Sequence, residues 1–175
     1  RPVPYALLEK VEGELTRLET LGIIRPVRFA DWAAPIVPVI KPDATVRLCG
    51  DYKLTVNTAF RLDRYPMPRI EDLYAKLAGG LSFTKLDMSH AYLQLELDPA
   101  SRPYVTINTH RGLYEYTRLP FGVSSACDIF QRIMEGILRG LPRVAVYSDD
   151  VLITETSEQE HLEAVLRRFS EAGVR

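Results

Sequence analysis

Two adjacent aspartates, Asp149 and Asp150, are the residues of this chain whose type and placement point most directly to chemistry. They stand between two apolar, β-branched runs, residues 144–147 and 151–154, a pattern that predicts a strand, a tight turn and a second strand. Carboxylates beside a hydrophobic core are costly unless they find partners, and a divalent cation is the simplest partner for two of them. Because Mg²⁺ prefers oxygen ligands, the hairpin predicts metal-assisted phosphoryl chemistry.

A third aspartate, Asp87, follows residues 83–86, which predict a short buried strand ending at this carboxylate. A carboxylate at a strand end and another at a hairpin turn, such as Asp149, could meet across one sheet. Nucleotide addition needs such convergence, because two metal ions about 3.5–4 Å apart activate the attacking 3′-hydroxyl oxygen and stabilise the leaving oxygen. The pattern is therefore compatible with nucleotidyl transfer.

The composition of the whole chain is that of an ordinary globular protein, with 175 residues of which 46% are hydrophobic and 26% charged. This length favours one domain, with room for a smaller lobe. No apolar run approaches the length of a membrane span. The chain begins at Arg1 without a signal-like apolar core, which predicts a segment of a longer polypeptide. Cys49 and Cys127 lack metal-like or redox spacing, so we expect free thiols in a reducing compartment.

The formal net charge of -1 excludes a global basic field of the kind that many nucleic-acid binders carry. A polymerase can nevertheless concentrate cations along a groove while its catalytic acids lower the total. Basic side chains are indeed spread through the middle of the chain, at Lys41, Arg47, Lys53, Arg61, Arg64, Arg69, Lys85, Arg102, Arg111 and Arg118.

Hydrophobic periodicity in the first half predicts a helix over residues 6–21 and then a hairpin. The first strand of that hairpin, residues 34–40, contains two prolines and should be an edge or irregular strand. The returning strand covers residues 46–49, which places Lys41 and Arg47 near the hairpin tip.

Further along, residues 70–77 predict a short helix and residues 93–97 a half-buried strand, because Leu93, Leu95 and Leu97 alternate with polar residues. Residues 104–108 and 113–117 predict another hairpin. The next helix, which runs to about residue 138, is expected to bury Ile129, Phe130, Ile133, Met134 and Ile137.

A last amphipathic helix begins after a capping box formed by Ser157 and Glu160. Helices and hairpins are interleaved along the chain, so we predict an α+β fold in which an antiparallel sheet is backed by helices.

Three sequence segments carry a family resemblance: Phe83-Thr84-Lys85-Leu86-Asp87-Met88-Ser89-His90-Ala91-Tyr92, Leu119-Pro120-Phe121-Gly122 and Tyr147-Ser148-Asp149-Asp150. Supporting segments are residues 22–26, 47–52, 65–70 and 130–132. In order and spacing they resemble the fingers and palm of the reverse transcriptase of gypsy-type long-terminal-repeat retrotransposons. The resemblance covers nearly the whole chain and implies a right-hand polymerase fold.

The resemblance implies that Asp87 and Asp149 are the main metal ligands and that Asp150 is the third catalytic carboxylate. Asp150 and the carbonyl of Met88 are implied to be further metal ligands. The implied cofactor is a pair of Mg²⁺ ions, with Mn²⁺ as a substitute. The residues implied to bind nucleotide are Lys41, Arg47, Ser89, His90, Ala91, Tyr92 and Phe121. The residues implied to contact template or primer are Gln131, Tyr147 and Ser148.

Within the nucleotide site, the resemblance implies that Lys41 and Arg47 neutralise the β- and γ-phosphates and that the amides of residues 89–92 face the triphosphate. Tyr92 would lie under the sugar and exclude a 2′-hydroxyl, which selects deoxynucleotides. Phe121 would shape the pocket beside the incoming nucleotide.

The implied organisation is a single domain over residues 1–175, with fingers near residues 1–80 and palm near residues 81–175. A fingers-like segment would lie near residues 100–120. The implied partners are an RNA or DNA template with its primer, deoxynucleoside triphosphates and the other Pol regions, namely thumb, connection, ribonuclease H and integrase. No membrane is implied, and the expected location is a cytoplasmic retroelement particle.

Two alternatives stay open. The first is a catalytically decayed or domesticated module that binds nucleic acid or protein, since Ser148, Cys127 and Asp128 depart from the family pattern. The second is a palm-type polymerase that copies DNA or uses ribonucleotides, although Tyr92 disfavours ribonucleotides.

Overall fold

The computed structural model describes residues 2–59, 65–156 and 160–175, and the chain divides into two compact units. Unit 1 comprises the described residues of Arg1–Leu62 and Leu95–Ala126, and unit 2 those of Asp63–Gln94 and Cys127–Arg175. The assignment of fingers and palm to residues 1–80 and 81–175 stays a prediction. Within the described ranges, no helix is both long and apolar enough to cross a membrane.

Helices and strands alternate along the described chain. The α-helices are α1 (Leu8–Thr20), α2 (Val56–Ala59), α3 (Ile70–Leu77), α4 (Ala126–Ile137) and α5 (Glu160–Ala172). The strands are β1 (Ile24–Val27), β2 (Ala34–Ile40), β3 (Val46–Gly50), β4 (Ser82–Asp87), β5 (Thr106–Thr109), β6 (Gly112–Tyr116), β7 (Val144–Tyr147) and β8 (Asp150–Glu155). The predicted α+β class is confirmed.

Unit 1 is built on a five-stranded sheet in the order β1-β6-β5-β2-β3. The two predicted hairpins are present as the antiparallel pairs β2–β3 and β5–β6. Helix α1 buries Val11, Leu15 and Leu18, which recur every three or four residues and so share one face. The Tyr52 ring is also buried, and its hydroxyl donates a 3.0 Å hydrogen bond to the carbonyl of Val105.

Unit 2 is built on a three-stranded antiparallel sheet in the order β4-β8-β7. Helix α3 contacts β7 and β8, and helix α5 contacts β8. The central strand is accordingly the apolar one, and its Val151 and Ile153 are almost fully buried. Burial of each such side chain contributes about 1.5–3 kcal/mol, so the strand that begins at Asp150 is firmly anchored.

The prediction of a buried strand over residues 83–86 is wrong in its burial. The strand forms, but β4 lies at the edge of the three-stranded sheet, and Phe83 is 68% exposed. An edge strand packs against a neighbour on one side only, so its apolar residues do not need to be interior.

The predicted strand over residues 93–97 is also wrong. Residues Ala91–Gln94 form a 3₁₀-helix, and a single bridge between Glu96 and Arg118 follows. The backbone amide of Leu97 donates a hydrogen bond to the carbonyl of Thr117, and the amide of Leu119 donates one to the carbonyl of Leu95. The segment with alternating leucines therefore forms an isolated bridge instead of a strand.

Residues 34–40 were predicted to form an edge or irregular strand, and the edge position is wrong because β2 lies between β5 and β3 in the sheet order. Its pairing with β5 involves Ala34 and Pro35, whereas Pro38 pairs with β3 alone among the described strands. The second proline therefore lies where the sheet has an open side, and its missing N–H donor is tolerated.

The predicted buried face of helix α4 is confirmed at Phe130 and Met134 but is wrong at Ile129 and Ile133. Ile129 and Ile133 are 39% and 37% exposed, while Gln131 is fully buried beside Phe130 and Met134. The predicted Ser157 cap of the last helix lies outside the described residues, and Gly173, with φ 70°, follows the end of α5.

Candidate active site

The sheet of unit 2 places the backbones of the three aspartates at one end of its strands. In the β4–β8 register, Asp87 lies directly opposite Asp150. Facing residues of antiparallel strands have Cα atoms about 4.5–5.5 Å apart. Asp149 occupies the β7–β8 turn, and its carbonyl oxygen accepts a 3.1 Å hydrogen bond from the Met88 amide. The juxtaposition expected from the sequence is thus present in the structure.

The turn that carries Asp149 has a strained backbone at the preceding residue. Ser148 has φ 56°, in the left-handed region that residues other than glycine rarely adopt. Such a conformation costs about 1–3 kcal/mol and persists only where neighbouring groups hold it in place. The side-chain oxygen of Gln131 accepts a 2.8 Å hydrogen bond from the Ser148 amide, so α4 supports the turn from below.

A lysine lies among the aspartates. The ammonium nitrogen of Lys85 is 2.8 Å from Oδ2 of Asp150. Lys85 precedes Asp87 by two residues on β4, so the two side chains emerge on the same side of the strand. The hydrogen bond to Asp150, together with the charge of that carboxylate, raises the pKa of Lys85. The shift marks this end of the sheet as a concentration of negative charge.

The donor chemistry of the site matches a hard divalent cation. No three His, Cys, Asp or Glu side chains of the described residues converge closely enough to hold an ion by themselves. Mg²⁺ does not require that number, because it keeps several waters and is usually held by one or two carboxylates plus substrate phosphates. Asp87 and Asp149 are exposed carboxylates next to the backbone of Met88, whereas the carboxylate of Asp150 forms a salt bridge with Lys85. The residues present therefore fit Mg²⁺ through two carboxylates and a backbone carbonyl.

Tyr92 lies in the same unit as the aspartates. Its ring packs edge-on against Phe130, with centroids 5.7 Å apart, and it is half-buried. Burial raises the pKa of Tyr92, while a hydrogen bond with Ser148 acts in the opposite direction. The thiol of Cys127 lies 3.5 Å from the Ser148 hydroxyl. Cys127 also forms a hydrogen bond with Tyr92, so the three side chains are in polar contact.

The segment after Asp87 forms a tight turn. Met88 and Ala91 are buried, whereas Ser89 and His90 are exposed. His90 has φ 51°, and the side-chain amide of Gln94 donates a 2.7 Å hydrogen bond to the carbonyl of Ser89. This geometry fixes the backbone that the resemblance assigns to triphosphate binding.

Three of the predicted nucleotide-binding residues belong to unit 1. Arg47 lies on β3 opposite Val39, and its guanidinium carbon is 4.6 Å from the centroid of the Phe121 ring. The structure therefore brings two of the three together through a cation–π contact. Lys41 begins the hairpin turn, where its amide donates a 2.9 Å hydrogen bond to the carbonyl of Thr45.

The turn that contains Phe121 is fixed by close backbone contact. Gly122 has φ 104°, and a Cβ atom there would lie 2.1 Å from the carbonyl oxygen of Gly50. The side-chain amide of Asn57 donates to the Gly122 carbonyl at 2.9 Å, and its oxygen accepts from the Ser124 amide at 2.9 Å. No single-residue pattern in the sequence indicated this role for Asn57.

Gln131 and Tyr147 differ in how well their positions suit a template or primer contact. Tyr147 is 44% exposed at the end of β7. Gln131 is fully buried, so a direct template contact by its side chain is not compatible with its position. Helical periodicity indicated that α4 has a buried face, but it did not indicate that a glutamine lies on it. The role of Lys85 was also missed, although its two-residue spacing from Asp87 could have indicated it.

Comparison with known proteins agrees with this arrangement. The sequence profile described as "Reverse transcriptase (RNA-dependent DNA polymerase)" matches residues 39–175. An uncharacterized Caenorhabditis elegans protein, K02A2.6, is 44% identical over 181 residues, which cover 100% of this chain and 14% of that protein. The Retrovirus-related Pol polyprotein from transposon 297 of Drosophila melanogaster is 34% identical, over 92% of this chain and 16% of its own length. The chain thus spans about one seventh of these relatives.

Solved structures show the same fold. The foamy viral protease-reverse transcriptase in complex with double-stranded DNA has a TM-score of 0.89 at 22% identity, covering 99% of this chain and 31% of that one. The complex of that protein with an RNA/DNA hybrid has a TM-score of 0.86 at 21% identity, covering 98% and 23%. At these identities the likeness shows the fold alone.

Proposed function

Because the chain belongs to the reverse transcriptase family, we propose that it carries the active site of an RNA-directed DNA polymerase. The reaction is the transfer of a deoxynucleotide to a primer 3′-hydroxyl with release of pyrophosphate. The observation that supports this most directly is the register of β4 and β8, which sets Asp87 opposite Asp150 and next to Asp149.

Two Mg²⁺ ions, for which Mn²⁺ can substitute, would activate the attacking 3′-oxygen and stabilise the leaving oxygen. Asp87 and Asp149 would hold them, with the carbonyl of Met88 as a further ligand. Asp150 is the third carboxylate of the site, and its hydrogen bond with Lys85 limits the repulsion among the three acids.

The roles in nucleotide binding are proposed separately for the residues of each unit. Tyr92 would exclude a 2′-hydroxyl, and its packing against Phe130 gives its ring the rigidity that this role needs. The amides of Ser89, His90 and Ala91 would receive the triphosphate. In unit 1, Lys41 and Arg47 would neutralise phosphates, and Phe121 would shape the pocket. Tyr147 and Ser148, at the exposed end of the aspartate hairpin, would contact the primer.

The proposed partners are a primer–template and deoxynucleoside triphosphates. The related foamy viral enzyme has been solved with double-stranded DNA and with an RNA/DNA hybrid. The curated relatives are several times longer than this chain, so we also propose that it works beside the other Pol regions, in a cytoplasmic retroelement particle.

Primer extension tests the proposal. The full parent polypeptide should extend oligo(dT) on poly(rA) in the presence of Mg²⁺, and Asp149→Asn should reduce the rate by at least a hundredfold. Asp31→Asn, an exposed aspartate of unit 1, is the matched control and should extend normally.

Equal extension by the wild type and Asp149→Asn would overturn the proposal, as would no extension by the wild type. Binding of primer–template without extension would instead support the decayed or domesticated alternative. No comparison favours that alternative, since the transposon 297 relative is itself named as a Pol polyprotein.

A further inference from the structure

Gln131 is the least expected residue near the aspartate hairpin. It is a polar side chain in the middle of α4, and its exposure is 0%. Buried polar groups are tolerated when their hydrogen bonds are satisfied, and Gln131 has partners for both ends of its amide.

The contacts of Gln131 fall on both sides of Tyr147. Its Oε1 accepts a 2.8 Å hydrogen bond from the Ser148 amide, and its Nε2 donates a 2.9 Å bond to the carbonyl of Val146. The side chain therefore joins the last part of β7 to the first residue of the turn.

The amide of Gln131 is itself held in place. Its Nε2 donates a 2.8 Å hydrogen bond to Oε1 of Glu135, one helical turn further along α4. The other oxygen of Glu135 accepts a 2.5 Å bond from the Tyr65 hydroxyl. Because Oε1 faces a donor and Nε2 faces two acceptors, only one orientation of the amide satisfies all the partners.

The supported residue is the strained one. Ser148, with φ 56°, lies in a sparsely populated backbone region, and the next two residues are Asp149 and Asp150. Strained residues persist where their surroundings over-determine them, and here the Gln131 oxygen takes the one hydrogen that the Ser148 amide can donate.

We propose that Gln131 is a positioning residue, which holds the Ser148 turn in its left-handed conformation and thereby fixes the carboxylates of Asp149 and Asp150. It does not contact the template. The metal part of this inference rests on the proposed function, whereas the backbone part does not, and the two can be measured separately.

The test uses the full 175-residue chain with two substitutions at one site. Gln131→Met keeps the length of the side chain but removes both hydrogen bonds to the hairpin. Gln131→Glu keeps the acceptor for the Ser148 amide but removes the donor to the Val146 carbonyl and to Glu135. Met134→Ala is the matched control, because Met134 is equally buried on α4 but lies outside this hydrogen-bond network.

Amide hydrogen exchange by NMR gives the first readout. In Gln131→Met the Ser148 amide should exchange at least tenfold faster, while amides of the β4–β8 ladder keep their protection. Gln131→Glu should restore most of the protection of the Ser148 amide. Met134→Ala should lower the unfolding temperature without changing the exchange rate of the Ser148 amide relative to the amides of the β4–β8 ladder.

The affinity for Mn²⁺, measured by titration calorimetry, gives the second readout. Gln131→Met should weaken it by about tenfold, equivalent to about 1.4 kcal/mol, whereas Met134→Ala should leave it unchanged. Unchanged Ser148 exchange in Gln131→Met would overturn the inference, and so would equal Mn²⁺ affinity in Gln131→Met and the wild type. If the wild type binds no Mn²⁺ and extends no primer, the proposed function fails, and exchange at Ser148 alone decides the positioning role.

Discussion

At the scale of single residues, Asp149 and Asp150 are held by contacts with neighbouring residues on or next to β4. Lys85 offsets the charge of Asp150, and the amide of Met88 holds the carbonyl of Asp149. Tyr92 is placed in the same way, by the ring of Phe130 and by polar contact with Ser148. Asp150 and Tyr92 therefore each have a side-chain partner, Lys85 and Phe130, that can be substituted without changing the carboxylates.

Substitution of Tyr92 tests sugar selection. Tyr92→Ala should raise ribonucleotide incorporation relative to deoxynucleotide incorporation by tenfold or more, because removal of the ring opens space for a 2′-hydroxyl. Competing ribo- and deoxynucleotides in a single-addition primer assay measure the ratio. Tyr92→Phe keeps the ring and should retain selectivity, and unchanged selectivity in Tyr92→Ala would exclude the gate role.

At the scale of elements, short turns fix the positions of the residues assigned to nucleotide binding. The turn at Phe121 and Gly122 illustrates this, since the Gly50 amide donates a 3.2 Å hydrogen bond to the carbonyl of Phe121. The same turn carries the ring that contacts Arg47, so a backbone displacement there would move a predicted phosphate-binding group as well.

Two glycines with similar φ angles allow the cost of backbone strain to be distinguished from the cost of a steric clash. Gly122 and Gly112 have φ 104° and 113°, but a Cβ at Gly112 would meet nothing within 4 Å. Gly122→Ala should therefore cost at least about 1 kcal/mol more free energy of unfolding than Gly112→Ala, because overpacking against the Gly50 carbonyl adds to the strain. Urea unfolding of both variants measures this difference, and equal losses would contradict the close approach.

Helix α5 is tied to the sheet through an ionised side chain. Glu155, at the end of β8, accepts a 2.6 Å hydrogen bond from Nδ1 of His161 and a 2.8 Å bond from the amide of Leu162. Burial alone would raise the pKa of Glu155, but these hydrogen bonds outweigh it and hold the pKa below its usual value of 4.5.

A carboxyl group whose pKa is lowered on folding stabilises the native state fully above its unfolded pKa, and this stabilisation is lost as the pH falls through the folded value. The unfolding temperature of the wild type should therefore drop as the pH falls below about 4.5. In Glu155→Gln the unfolding temperature should depend less on pH in this acidic range. Glu171→Gln, which changes an exposed residue of α5, should keep the pH dependence of the wild type. If the unfolding temperatures of all three proteins fall equally as the pH is lowered, the role of Glu155 is contradicted.

At the scale of the whole molecule, local patterns predicted what local contacts determine. Helix α3 spans the predicted residues 70–77, and the hairpin of Asp149 and Asp150 forms where expected, because periodicity and turn chemistry act over a few residues. The pairing of Asp87 with that hairpin was also expected, because two-metal chemistry needs carboxylates that converge from neighbouring strands.

What could not be predicted depends on distant partners. Leu93, Leu95 and Leu97 alternate with polar residues as in a strand, but this segment forms only an isolated bridge with residues 117–119. Gln131 is buried because a strained turn elsewhere in the chain needs an acceptor, and no helical pattern carries that information. The family resemblance supplied the roles of residues, whereas tertiary contacts decided which side chains support them.

The contact between Lys85 and Asp150 has a consequence for the order of events during synthesis. An ammonium group already stands beside the acids, so a newly made chain can close its hairpin before any ion has arrived. The lysine side of the pair is exposed to solvent, and exposed ion pairs contribute little to stability, so a proposed divalent ion would meet little resistance at Asp150. We therefore expect the three-stranded sheet of unit 2 to fold in the absence of a divalent cation.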